Sequence, residues 1–267
     1  MLAFANAKIN LGLNVTDKRP DGYHNLETVF YPVKLYDVVE VMPAGITSCD
    51  IRGIHIPGDA TDNICLKAYH LLAREFDLPP VKITLLKNIP VGAGLGGGSA
   101  DAAFLIKLLN GRFELGLSES AMEDYAKVLG ADCAFFVRNK PVYAFGKGDQ
   151  FAPVEIDLSA YFKVLVKPPV HVSTADAYGG LTPAFPETPL KDLIGLPVTE
   201  WKGRLKNDFE DRIFVKYPEI SQIKEQLYLA GATFALMSGS GSSVFALFDT
   251  KITLPMLEKE NSVYYNI

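Results

Sequence analysis

The densest run of residues suited to chemistry offers backbone rather than side chains: GAGLGGGS at 92–99. Glycines adopt φ > 0 and let the chain approach a ligand with no Cβ in the way, so successive N–H groups point into one concavity. The apolar run VKITLLKNIPV (81–91) reads as a strand, and the pattern from Ala100 to Asn110 reads as a helix. Strand, glycine loop and helix in that order make an anion site at a helix N-terminus, and phosphate is the expected anion. A flexible loop or a tight strand-to-helix turn is the plain alternative. The run satisfies G-x-G-x-x-G, but a dinucleotide fold also needs a second parallel strand and an acidic residue ~20 positions on. GRFELGL and a further helix follow instead. A P-loop would place lysine where Gly98 stands. Charge for a phosphate must then come from elsewhere, with Lys8, Lys87 and Mg²⁺ as candidates.

The elements around this loop follow from periodicity and punctuation. In KINLGLNVT (8–16), Ile9, Leu11, Leu13 and Val15 alternate with Lys8, Asn10, Gly12 and Asn14. That predicts a half-buried strand whose polar face carries Lys8 and Asn10 together. RPDGYHN (19–25) is a turn, and LETVFYPVKLYDVVEVMP supplies two further strand-like stretches. A helix is expected over 63–76, another behind Ser118 with Gly130 as its stop, and two more separated near Pro218. YFKVLVKPP (161–169) and both flanks of the SGSGSS turn in TFALMSGSGSSVFALFD (233–249) read as strands, and a short helix and strand close the chain. Two α+β units are expected, divided into 1–152 and 153–267.

Composition narrows the partners. With 48% hydrophobic and 21% charged residues the chain is neither disordered nor membrane-embedded. A net charge of −5 gives no basic field for a nucleic acid backbone, so an anionic ligand must be small and locally held. Three dispersed cysteines and no apolar leader point to a reducing, cytoplasmic setting.

The segments AKINLGLNVTDKRPDGYHNLET (7–28), PVGAGLGGGSADAA (90–103), LGADCAFF (129–136), VSTADAY (172–178), NDFE (207–210) and MSGSGSSVFALF (237–248) together resemble the GHMP small-molecule kinases. Within that family, DGYHNLET points to the branch acting on a cytidine diphosphate-linked methylerythritol. The resemblance implies a two-lobed α+β fold, with a ribosomal protein S5 domain 2-like N-terminal domain and a ferredoxin-like C-terminal domain. It implies ATP as co-substrate with Mg²⁺, phosphorylation of the 2-hydroxyl of the alcohol, and a monomer or weak homodimer.

By the same resemblance Asp132 is the catalytic carboxylate and Lys8 its partner. An alcohol attacking a γ-phosphorus gains from a carboxylate that accepts its proton, and a nearby ammonium keeps that carboxylate ionised. Read without the family, Asp132 is a solvated turn residue and Lys8 a strand-edge charge. Pro90, Val91, Gly92, Ala93, Gly94, Leu95, Gly96, Gly97, Gly98, Ser99 and Ala100 would wrap the ATP phosphates, with Ser99 near the metal and Asn63 and Lys87 near the base. Asn10, Tyr23, His24, Thr174 and Tyr178 would hold the cytidyl substrate. Helical spacing would bring Thr174 and Tyr178 to one face. GSGSS (239–243) is either a brace for the phosphate loop or a plain hairpin turn. The metal ligands are unassigned.

The chain departs from the family pattern at Ala100, where a second serine is usual, at Cys133-Ala134, where Val-Pro is usual, and at Ser238 and Ser243. Cys133 is expected to pack rather than react, because in-line phosphoryl transfer needs no protein nucleophile. The readings left to separate are a kinase for another small alcohol such as homoserine or mevalonate, a non-catalytic nucleotide module, and a Rossmann oxidoreductase.

Overall fold

The structure, a computed structural model, describes residues 1–267 apart from the side chain of Ala60. Its residues fall into two compact units built from interleaved segments: Met1–Lys8, Lys34–Val91 and Gly96–Lys140 in the first, Ile9–Val33, Gly92–Leu95 and Pro141–Ile267 in the second. Two long strands, β1 (Leu2–Lys18) and β2 (His24–Pro43), have residues in both.

In the first unit the C-terminal part of β2 pairs antiparallel with β4 (Val81–Lys87), and β3 (Ser48–Gly53) pairs parallel with β4. Four helices accompany them: α1 (Ile64–Ala73), α2 (Gly97–Phe113), α3 (Glu119–Leu129) and α4 (Phe135–Arg138). The helix starts follow capping chemistry. Asn63 Oδ1 accepts the Cys65 N–H at 2.8 Å to begin α1, and Ser118 Oγ accepts that of Ala121 at 3.2 Å to begin α3. Gly130 closes α3 as expected. α1 stops at Ala73, short of the expected 76, and α2 starts inside the glycine run at Gly97 rather than at 100.

In the second unit the start of β2 pairs antiparallel with β5 (Val142–Phe145), itself paired with β6 (Gln150–Pro153). A separate antiparallel sheet of four strands runs β10 (Ser262–Tyr265), β7 (Phe162–Lys167), β9 (Val244–Phe248), β8 (Phe234–Met237). Helices α5 (Thr174–Tyr178), α6 (Leu190–Leu193), α7 (Glu210–Lys216), α8 (Pro218–Leu229) and α9 (Pro255–Glu258) belong to this unit. Its core gathers Leu13, Val164, Phe209, Ile220, Leu227 and Ala246, all nearly or fully buried. Pro218 opens α8, where its missing N–H costs nothing.

Three expectations change. The polar face of β1 is as buried as its apolar face, with Lys8, Asn10 and Asn14 at 3, 2 and 7% exposure. Alternation sorts side chains by face but does not say whether the polar face meets water. Here it meets partners: Asn10 Nδ2 donates to Thr28 Oγ1 at 2.9 Å and Asn14 Nδ2 to Glu27 Oε1 at 2.8 Å. Second, residues 24–43 form one strand of 20 residues, not two stretches. The strand changes partner between Phe30, on β5, and Val38, on β4, and Pro32, which has no N–H to donate, falls in that interval. Third, β3, β5 and β6 arise from segments the periodicity left unassigned. Among the described residues no helix is long and apolar enough to cross a membrane.

Candidate active site

The glycine run spans both units, with Gly92–Leu95 in the second and Gly96 onward in the first. Gly96, at φ +69, precedes α2, and a Cβ there would stand 2.9 Å from Phe136 Cζ and 3.2 Å from Lys8 Cε. The 17-residue α2 begins with no side-chain cap, and its first backbone bond is Ala100 N–H to Gly96 O. The N–H groups of Gly97, Gly98 and Ser99 are those a helix leaves unpaired within itself, at the positive end of its dipole. Those N–H groups lie where the sequence predicts an anion device.

Lys8, from β1, reaches the same helix start within the first unit. Its Nζ lies 3.4 Å from Asp132 Oδ2, with side-chain exposures of 4 and 34%. Asp132 sits in the tight turn between α3 and α4, where the Cys133 N–H returns to Gly130 O at 3.1 Å. The pair is thus a buried ammonium beside a carboxylate that keeps access to solvent. Cys133 next to it is fully buried, and burial pushes its thiol up to about 11, with a Ser99 hydrogen bond opposing. It stays a thiol at neutral pH, in keeping with a packing role.

Lys87 is buried at the same helix start. The sequence offered it as charge for a phosphate or as a contact near the base, but its ammonium is enclosed. It donates to the Asp37 carboxylate and, at 2.8 Å, to Asp101 Oδ2. Asp37, Lys87 and Asp101 are 0, 3 and 1% exposed. Asp37 Oδ1 also accepts the N–H groups of Asn88 at 2.5 Å and Ile89 at 2.8 Å, tying down the chain that leads into the glycine run. A Cβ on Gly97 would stand 3.3 Å from Lys87 Nζ, so the cluster underlies the first turn of α2. Burial pushes Asp101 up to about 8, with Lys87 opposing and Asp37 adding. The two carboxylates raise Lys87 against its own burial. Asn63, also read as near the base, is 9% exposed and spends its side-chain oxygen on the cap of α1.

In the second unit the serine-glycine turn between β8 and β9 bonds directly to the glycine run. Ser238 Oγ donates to Gly94 O at 2.9 Å, and the Ser243 N–H donates to Ala93 O at 3.4 Å. A Cβ on Gly94 would fall 1.9 Å from Ser238 O, so only glycine fits. The turn is therefore a hairpin connection and a brace at once. Asn10 joins it, its N–H donating to Ser238 Oγ at 3.2 Å. The NDFE motif, which had no assigned task, holds the turn from behind. Asn207 Nδ2 donates to Met237 O and Gly239 O, both at 2.8 Å, and Glu210 Oε1 accepts the Met237 N–H at 2.9 Å. No local sequence signal gives Asn207 and Glu210 this task, since their partners lie 27 to 32 residues away.

The four remaining residues expected to hold the substrate also lie in the second unit. Thr174 and Tyr178 share the short helix α5, whose start is capped by Ser173. Tyr178 stacks on His24, with centroids 4.9 Å apart and planes at 23°, and meets Phe209 edge-on at 4.8 Å. Tyr23 is 62% exposed, with the Lys147 ammonium 5.1 Å above its ring. These are faces on which a flat base can stack.

Family comparison agrees with this geometry. The family model for the N-terminal domain of GHMP kinases matches residues 63–140, and that for their C-terminal domain matches residues 197–254. The chain belongs to the GHMP kinase family. It is 55% identical over 259 residues, 95% of this chain and 94% of the relative, to the 4-diphosphocytidyl-2-C-methyl-D-erythritol kinase of Bacteroides fragilis. To the enzyme of that name from Bacteroides thetaiotaomicron it is 52% identical over 268 residues, 99% and 98% of the two chains. A crystal structure of 4-(cytidine 5'-diphospho)-2C-methyl-D-erythritol kinase matches with a TM-score of 0.84 at 29% identity, covering 99% of this chain and 98% of that one. The α+β fold expected from the motifs is that of this family, and as a GHMP kinase the chain uses ATP as co-substrate.

Proposed function

We propose that this GHMP kinase transfers the γ-phosphoryl group of ATP to the 2-hydroxyl of 4-diphosphocytidyl-2-C-methyl-D-erythritol, giving the 2-phosphate and ADP. The identity of about half or more to relatives of that name supports the substrate. The observation that carries the chemistry is the Lys8–Asp132 pair beside the uncapped start of α2.

In this reading Asp132 accepts the hydroxyl proton as the oxygen attacks, a contribution of ~10²–10⁴ in rate. Lys8, 3.4 Å from Asp132, offsets charge on the alcohol oxygen. The loop from Pro90 to Ala100 holds the ATP phosphates by backbone N–H groups. Asn63 and Lys87 act from the nucleotide side, Lys87 as support beneath the loop. Asn10 orients the alcohol, and Tyr23, His24, Thr174 and Tyr178 hold the cytidine. Among the described residues no three His, Cys, Asp or Glu gather as a metal cage. That suits Mg²⁺ carried chiefly by phosphates and water, with Ser99 as the hydroxyl we assign to it. When bound it would neutralise phosphate charge. We place the protein in the cytoplasm as a monomer or weak homodimer, with the chain divided at 152/153.

Incubating the purified protein with ATP, Mg²⁺ and the cytidyl alcohol should yield ADP and the 2-phosphate. Turnover of homoserine or mevalonate with none of the cytidyl alcohol would overturn the assignment.

A further inference from the structure

The chain following β7 is held at several points within the second unit. The Lys167 ammonium donates to the carbonyls of Pro168 and Val170 at 2.5 and 3.0 Å. The Ser242 hydroxyl donates to the same Val170 carbonyl at 2.6 Å. Val172 is buried in the unit's core, and Ser173 caps α5. Between these fixed residues His171 is exposed, with its ring against the glycine run. A Cβ built on Gly92 would stand 2.4 Å from His171 Cε1, 2.6 Å from Nδ1 and 3.7 Å from Nε2. Gly92, at φ +61, is exposed as well.

One element fixes both partners. The serine-glycine turn holds Gly94 through Ser238 and the carbonyl before His171 through Ser242. A ring and a loop set by one brace meet a ligand with little ordering left to do. An imidazole offers one N–H when neutral and two when charged, and its hydrogen bonds to phosphate oxygens are among the stronger ones.

We propose that His171 is a phosphate-binding side chain, its ring N–H donating to a phosphate oxygen at the exposed Gly92 end of the glycine run. Resting on the kinase reading above, two phosphate groups have this chemistry: those of ATP, and the diphosphate joining cytidine to the alcohol. His171 touches Gly92 on one side and stands three residues ahead of Thr174 on the other, so the experiment needs an arm for each.

Turnover by the unaltered protein is measured first, because its absence removes the kinase reading and leaves this one standing. Calorimetric binding of ADP and of CDP then reads His171 without turnover. His171→Ala is expected to weaken one or both about tenfold and to raise the matching KM by a similar factor, with kcat and Tm unchanged. His171→Gln, which keeps an N–H donor, should recover most of the loss. A loss confined to ADP and ATP assigns the ATP phosphates, and one confined to CDP and the cytidyl substrate assigns the diphosphate. A loss shared by both at unchanged Tm assigns a position that serves each. Binding of both within about twofold of the unaltered protein, or a loss that tracks a lowered Tm and is not recovered by glutamine, overturns the proposal.

Discussion

Lys8 and Lys87 both leave strands of the first unit, both approach the start of α2, and both meet aspartate. A Cβ on Gly96 would stand 3.2 Å from Lys8 Cε, and one on Gly97 would stand 3.3 Å from Lys87 Nζ. They differ in what else surrounds the charge. Lys87 faces two aspartates that are as buried as itself, whereas Lys8 faces Asp132, about a third of whose side-chain surface is open. A carboxylate open to solvent can receive a substrate proton and release it. A sealed cluster cannot reach a ligand, and its value is the geometry it imposes on β4, Asn88, Ile89 and the first turn of α2. Residue type and spacing look alike in the two places, and burial is what separates the pair we propose for the chemistry from the cluster we read as support.

That contrast is broken most severely by exchanging the outcomes. Asp132→Asn should lower kcat by ~10²–10⁴ while leaving the unfolding midpoint near its original value, measured by steady-state kinetics and thermal melting together. Lys87→Met should do the reverse. Removing one member of a buried ion cluster leaves charges uncompensated and costs about 3–5 kcal/mol, readable in urea unfolding. A Lys87→Met protein as stable as the parent would show that the cluster is not the support described.

A smaller effect is expected in the second unit. Tyr23→Ala should raise KM for the cytidyl substrate roughly tenfold, the scale of one lost base-stacking contact, and leave KM for ATP unchanged. Equal rises in both would remove Tyr23 from the cytidine site.

The smallest effect is a slope. Burial raises Asp101 from 3.8 to about 8, so between those values the folded protein holds a proton that the unfolded chain releases. Stability contributed at this site therefore falls as pH rises from about 4 to about 8. Asp101→Asn should flatten that part of the curve of unfolding free energy against pH. An unchanged slope would place the proton elsewhere.

Much of this was legible before the structure. The glycine run, β1, α3 between Ser118 and Gly130, and the break at Pro218 each carry a local signal that tertiary packing reinforces. The strands β3, β5 and β6 were not legible, because four to six residues are too few to establish a period. The Lys87 cluster was hidden for another reason. Its members lie at 37, 87 and 101 on a strand, a strand end and a helix, and only the fold gathers them. The tasks of Asn207, Glu210 and Ser242 likewise depend on contacts 27 to 72 residues away in sequence.

In the proposed chemistry Lys8 and Asp132 act as one unit on the alcohol proton. A double-mutant cycle on turnover of the cytidyl substrate tests it most directly, comparing Lys8→Met, Asp132→Asn and the pair together. If the two act as a unit, the double variant loses little more kcat than Asp132→Asn alone. Losses that multiply would mean two independent contributions and would contradict the account.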